Sequence, residues 1–159
     1  MSNRPPLEII TCPQIVIGKG VHWNVFLGGG ITGCPDWQQE FIALMGKMVK
    51  PHHRIRLVNP RRDNFDVTDP QMSEAQIEWE YKHLRICNVN LFWFPKETLC
   101  PITLFELGAA LEHKGQLLVG CHPEYQRRFD VNYQMRMRRP ELSLFNDLES
   151  MAEYLTRVK

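Results

Sequence analysis

Asn24-Val25-Phe26-Leu27-Gly28-Gly29-Gly30-Ile31-Thr32-Gly33 is the stretch on which the fold turns. A short apolar run that passes straight into glycines reads as a buried strand ending in a glycine turn. Pro35 follows, and then Asp36, which can cap a helix whose Trp37, Phe41, Leu44, Met45 and Met48 recur at three- and four-residue spacing. A strand, a glycine turn and an amphipathic helix in that order begin an alternation that runs on down the chain.

Ile55-Arg56-Leu57-Val58 is the second strand, closed by Asn59-Pro60, and a loop rich in Arg, Asp and Asn leads to Pro70. Ser73 and Gln76 form a capping-box pair for a helix with Ile77, Tyr81 and Leu84 on its inward side. Val89 to Phe94 is a strongly β-prone third strand. Pro101 suits the first turn of another helix, with Leu104, Leu107, Gly108 and Leu111 inward and an end near Gly115; Leu117 to Val119 is a fourth strand. Cys121 to Arg139 reads as a mixed, arginine-rich loop, Leu142 to Phe145 as a fifth strand, and Asn146 with Glu149 as the cap of a last helix. The expected fold is α/β, a five-stranded parallel sheet flanked by helices in a flavodoxin-like three-layer sandwich of order 2-1-3-4-5. Residues 1–159 form a single domain in this reading, with 1–24 an extension of unassigned placement whose β-prone pieces are Leu7 to Thr11 and Ile15 to Ile17.

The chain has 159 residues, 43% hydrophobic and 23% charged, and a formal net charge of +1. That balance argues against disorder and against a bulk nucleic-acid polymer as partner, although Arg127, Arg128, Arg136, Arg138 and Arg139 are locally basic. No run approaches the ~20 apolar residues of a bilayer span and Met1 to Pro6 is polar, so no membrane partner and a cytoplasmic location are expected. Five scattered cysteines read as reduced thiols, with no metal-ligand spacing, and no metal or cofactor is expected.

In an open parallel sheet, ligands lie beyond the carboxyl ends of the strands. Gly28 to Gly33 matches G-x-G-x-x-G, yet the second strand ends in Asn59 where a ribose-binding acid is expected. A dinucleotide site, a plain turn and another small-ligand contact all fit. Glu106, among Leu104, Phe105, Leu107, Ala109 and Ala110, shares a stripe with Thr103, Ala110 and His113 and faces either a cleft or solvent. Glu78 and Glu80 straddle Trp79 at the edge of an inward face or in solvent. Arg61 and Arg62 suit a phosphate or carboxylate, or local pairs with Asp63 and Asp66. Trp37, Trp79 and Trp93 either stack on a base or fill the core.

The ordered set Val25-Phe26-Leu27-Gly28-Gly29-Gly30-Ile31, Trp37-Gln38, Asn59-Pro60-Arg61-Arg62, Gln76-Ile77-Glu78-Trp79-Glu80 and Pro101-Ile102-Thr103-Leu104-Phe105-Glu106-Leu107-Gly108 resembles the nucleoside 2-deoxyribosyltransferase-like family, from about Val25 to Val131. The resemblance implies an oligomeric parallel α/β enzyme that cleaves or exchanges the N-glycosidic bond of a (deoxy)nucleoside or its monophosphate. It implies that Glu106 is the nucleophile, that Glu80 helps hold the sugar or leaving group, and that Gly28, Gly30 and Ile31 contact sugar or phosphate. Trp37, Asn59, Arg61 and Arg62 complete the expected substrate-binding set, and a homo-oligomer is expected. Many members carry an aspartate before the third strand to protonate the base; Asn88 stands there and can donate a hydrogen bond but not a proton in ordinary acid catalysis. Asn88 also motivates a second reading, a non-catalytic nucleotide-ligand sensor; a dinucleotide-binding Rossmann-like domain is a third.

Overall fold

Side chains alternate across a strand, and every central strand of this protein is apolar on both sides, as a sheet covered on both faces requires. Val25, Leu27, Leu57, Leu91 and Trp93 point to one face, while Phe26, Val58, Phe92 and Phe94 point to the other. The computed structural model describes residues 4–16 and 20–158. Its strands are β1 (Leu7–Thr11), β2 (Trp23–Gly29), β3 (Ile55–Asn59), β4 (Val89–Phe94), β5 (Gln116–Cys121) and β6 (Leu144–Phe145), and its helices α1 (Trp37–Met48), α2 (Pro70–Ile86), α3 (Pro101–Leu111), α4 (Arg128–Arg138) and α5 (Leu148–Val158). All ladders are parallel, in the order β1-β3-β2-β4-β5-β6. The five expected strands thus keep the 2-1-3-4-5 order, and a sixth extends the sheet.

That sixth strand is the N-terminal piece left unplaced by sequence. Leu7 to Thr11 pairs with Ile55 to Asn59, because β3 would otherwise leave an open edge. Ile15 and Val16 lie in no strand, and Ile17 is outside the described residues.

The helices divide by face. The side chains Trp37, Phe41 and Met45 of α1 and Leu148, Met151 and Leu155 of α5 fill one core; Leu107, Leu111, Val131 and Met135 of α3 and α4 fill part of the other, beside Trp79 of α2. Helix α4 replaces the loop expected over 121–139: only Val131 and Met135 on it are buried, so its apolar stripe is too thin to stand out among polar neighbours. Helix α5 is capped by Asp147, whose Oδ1 accepts from the Ser150 amide, rather than by Asn146.

Helix α2 departs from expectation twice. Asp69 is its cap, accepting from the Gln71 and Met72 amides, with Pro70 in the first turn, so it starts a turn before Ser73. Its buried residues are Gln76, Trp79 and His83, whereas Ile77 and Tyr81 are 64% and 63% exposed. The large indole decides the rotation: it packs on Phe26 and its Nε1 donates to Gln14 O at 2.6 Å. His83 fixes it further, since the Val16 amide donates to its Nε2 and its Nδ1 lies 2.7 Å from Trp79 O.

Two side chains hold the glycine turn that follows β2. Trp37, 2% exposed, donates its Nε1 to Gly30 O at 2.9 Å. Arg61 donates to Ile31 O at 2.8 Å, Cys34 O at 3.1 Å, Pro35 O at 2.9 Å and Gln38 Oε1 at 3.1 Å, and pairs with Asp36 at 3.4 Å. Arg61→Ala leaves three backbone carbonyls and the Gln38 side-chain oxygen without this partner; we expect a loss of about 2–3 kcal/mol, a fall in Tm of roughly 5–10 °C, with incomplete rescue by Arg61→Lys because an ammonium lacks the planar fork. Calorimetry checks this, and a fall below about 2 °C would contradict the clamp.

Candidate active site

A cavity of about 490 Å³ opens beyond the carboxyl ends of β2 and β3, between the glycine turn, the loop after β3, α2 and the start of α3. Phe26, Ile31, Phe65, Ile77, Pro101 and Ile102 give it a mainly apolar wall. Its polar groups are few: Arg62, Ser73, Gln76, Glu80, Thr98, Thr103 and Glu106, with the backbone of Gly28 to Thr32.

The glycines are there for close approach. A Cβ on Gly30 would stand 2.7 Å from Cys100 Sγ and 3.1 Å from Cys34 Sγ, so only a bare α-carbon lets the turn lie against the start of α3. Gly33, at φ +74, closes the loop in the left-handed region. Cys100, at φ 49, takes the same region just before Pro101 and swings α3 across the end of β4. Thr103 and Glu106, one turn apart on α3, then reach the cavity together. Gly108 plays no such part, because it is exposed and a Cβ there would meet open space.

Glu106 is half-buried, and among the described residues no cation or hydrogen-bond donor reaches its carboxyl. Burial, and secondarily the negative charge of Glu80, push it up to about 8. Glu80, also half-buried, accepts a 2.7 Å hydrogen bond from Gln76 Nε2. Burial raises it too, while the Gln76 bond opposes the rise. Both carboxyls are thus pushed towards their neutral forms, and loss of a proton from one makes loss from the other harder.

Arg62 lines the same cavity, with its guanidinium carbon 5.5 Å from the Phe65 ring centre and Nη1 3.8 Å from Cys12 Sγ. Among the described residues no carboxylate lies within ion-pair distance of it; Asp66 instead accepts from Thr68. Its cation is available to a ligand.

Four expected site residues lie elsewhere. Asn88 stands at the amino end of β4, where its Oδ1 accepts from the Asn24 amide at 2.7 Å; the strand separates it from the cavity by about 17–20 Å. It cannot act on a ligand in that cavity. Trp37 is core, as are Trp79 and Trp93, 6% and 5% exposed. Arg61 is consumed by the loop clamp, and Asn59 is buried with Oδ1 accepting from the Arg61 amide at 3.0 Å. The structure brings together Glu106, Glu80, Gly28, Gly30, Ile31 and Arg62, and adds Phe65, Gln76 and Thr103. The spacing of Gln76 to Glu80, four residues on one helix, was the available signal for Gln76.

The raised Glu106 fixes the sign of a pH effect. Its folded value, about 8, lies above the ordinary 4.5, so the unfolded chain loses this proton first and stability falls as pH rises between the two. In Glu106→Gln the slope of Tm against pH should flatten, with a gain at alkaline pH on the order of 1 kcal/mol after allowance for partial exposure, roughly 2–4 °C. Parallel Tm curves for the two proteins would show that Glu106 titrates normally.

The family model described as nucleoside 2-deoxyribosyltransferase like matches residues 22–125, a span that holds β2 through β5, both glutamates and the whole cavity wall. No curated protein matches the chain. Among the described residues no helix is long and apolar enough to cross a membrane. With most of its length matched, including the strand ends that carry the cavity, this chain belongs to the nucleoside 2-deoxyribosyltransferase-like family.

Proposed function

We propose that the protein breaks or exchanges the N-glycosidic bond of a (deoxy)nucleoside or nucleoside monophosphate, with Glu106 as nucleophile and Glu80 holding the sugar or leaving base. The observation that carries this reading is one apolar hollow shared by two carboxyls from different helices, with burial pushing Glu106 up to about 8. A Glu106 oxygen attacks the anomeric carbon, and the carbon–nitrogen bond breaks with its electron pair passing to the base. The base takes the proton that Glu106 gives up, directly or by way of Glu80, so neutral acid and nucleoside become glycosyl ester and neutral base. Water, or the N–H of a second base, then displaces the carboxylate and returns the proton. Two displacements restore configuration.

This balance asks for no separate acid at the position of Asn88. The sensor reading rested on Asn88, which lies at the far end of β4 and so no longer motivates it. The dinucleotide reading lacks its ribose-binding acid, since Asn59 is engaged with the Arg61 amide. Arg62 and the backbone amides of the glycine turn suit a phosphate or sugar hydroxyls. A cytoplasmic location, where nucleotide pools lie, belongs to the same proposal.

We also infer a homo-oligomer. Phe105 of α3 and Phe129 of α4, 78% and 76% exposed, stand with Ile102, Tyr133 and Met137 on the outer side of neighbouring helices. An apolar surface of this kind marks a protein contact, and Ile102 belongs both to it and to the cavity rim.

Incubation with deoxynucleosides and their monophosphates, with and without a second free base, should release or exchange base by chromatography. Glu106→Ala should lower the rate roughly a thousandfold or more, and trapped wild-type protein should gain the mass of the glycosyl group. Equal release by both proteins would remove Glu106 from the mechanism. Light scattering should give a mass above one chain for wild type and a shift towards monomer for Phe105→Asp; a monomeric wild type at micromolar concentration would contradict the oligomer.

A further inference from the structure

Gln76 contributes more than cavity wall. It is 8% exposed, and both of its amide hydrogens are committed: Nε2 donates to Pro60 O at 2.9 Å and to Glu80 Oε1 at 2.7 Å. A backbone carbonyl only accepts, so the amide cannot reverse without setting oxygen against oxygen. Its own Oε1 is buried with no hydrogen-bond partner among the described residues. Leaving a buried acceptor unpaired is costly, and the arrangement that incurs this cost presents Glu80 with a rigid donor.

A donor that cannot become an acceptor favours the ionised form of the oxygen it faces. Around Glu80 stand Arg62 from the loop after β3, Cys12 from the end of β1 and Glu106 from α3. Arg62 lines the same cavity outside ion-pair distance of Glu80, Cys12 remains a neutral thiol because burial raises it, and Glu106 is the competing carboxyl, so the Gln76 bond is what opposes the rise that burial imposes on Glu80. Among the described residues Glu106 has no donor comparable to Gln76.

We propose that Gln76 is a positioning residue that keeps Glu80 as the ionised member of the pair and leaves the shared proton on Glu106. The inference rests on the proposed reaction only in treating these two carboxyls as the reacting groups. Its consequence is that the proton sits on the group that will attack, so bond formation at the sugar and delivery of the proton to the departing base are one event.

The test is a carbon-13 titration of side-chain carboxyls from about pH 4 to about pH 10 in glutamate-labelled protein, with Glu80→Gln and Glu106→Gln used to assign the two signals. In wild type Glu80 should titrate before Glu106. In Gln76→Leu, and in Gln76→Asn, whose shorter amide cannot bridge Pro60 and Glu80, the Glu80 midpoint should rise by roughly one pH unit and that of Glu106 should fall. An unmoved Glu80 midpoint in a variant with a folded amide spectrum, or Glu106 titrating first in wild type, would overturn the proposal; if the leucine variant does not fold, the asparagine variant decides. With a turned-over nucleoside, the acid limb of kcat/KM should move up by the same amount in Gln76→Asn, and a lower kcat/KM with an unmoved limb would reduce Gln76 to a structural part. Absence of turnover in wild type would sink the glycosyl-transfer reading while the order of the two titrations still decides the role of Gln76.

Discussion

Two carboxyl groups in one apolar hollow cannot both be charged at low cost, and that constraint organises the molecule around its cavity. Glu106 reaches the hollow only because α3 starts hard against the end of β2, which in turn needs a bare Gly30 beneath Cys100 and a left-handed residue before Pro101. Glu80 reaches it only because Trp79 and His83 rotate α2 until its polar edge faces inward. The sheet supplies the rigid base, since its central strands are buried on both faces and cannot yield to relieve the repulsion.

The layout of the sheet was legible because apolar runs and glycine or proline stops carry strong local information, as in Phe26 to Gly30 and Phe94 to Pro101. The parts that were not legible share one cause, weak or polar local patterning resolved by distant contacts. Leu7 to Thr11 is β-prone by itself, but only the open edge of β3 shows where it pairs. Helix α4 buries two side chains that matter, Val131 and Met135, among residues that otherwise read as solvated loop. On α2 the apolar stripe of Ile77 and Tyr81 pointed the wrong way, because the buried stripe of Gln76, Trp79 and His83 is polar in two of its three positions. Polar residues turn inward only when a partner waits, and Gln14, Val16 and Pro60 are far from α2 in sequence.

The dipeptide Arg61-Arg62 shows the same limit at the site. Both guanidiniums follow the same strand and are indistinguishable by composition, yet successive side chains at a strand end point in opposite directions. Arg61 turns towards α1 and is used up by the carbonyls of the glycine loop, while Arg62 turns towards α2 and, among the described residues, meets no carboxylate, only Cys12 and Phe65. One arginine builds the wall and its neighbour faces what the wall encloses. Glu106 was legible as a candidate because a carboxyl amid apolar helix residues is expensive unless it serves something; Glu80 and Asn88 came in through the resemblance, and the register of β4 puts Asn88 at the end opposite the cavity.

The charge of the hollow then bears on which ligand it takes. On the proposed reading Glu80 is ionised, Glu106 protonated and Arg62 cationic, so the three groups sum to zero and a neutral nucleoside enters without opposing a net field. A monophosphate brings negative charge, which raises both carboxyls further and gains most where Arg62 can face it directly. On the proposed reading the proton on Glu106 therefore does two things: it removes the charge that would repel a phosphate, and it supplies what the base needs on leaving. Above about pH 8 both functions fail together, because the same ionisation that makes the carboxylate a better nucleophile leaves the hollow net negative and the departing base without a proton. A site built on two carboxylates ionised at the same time would share neither property.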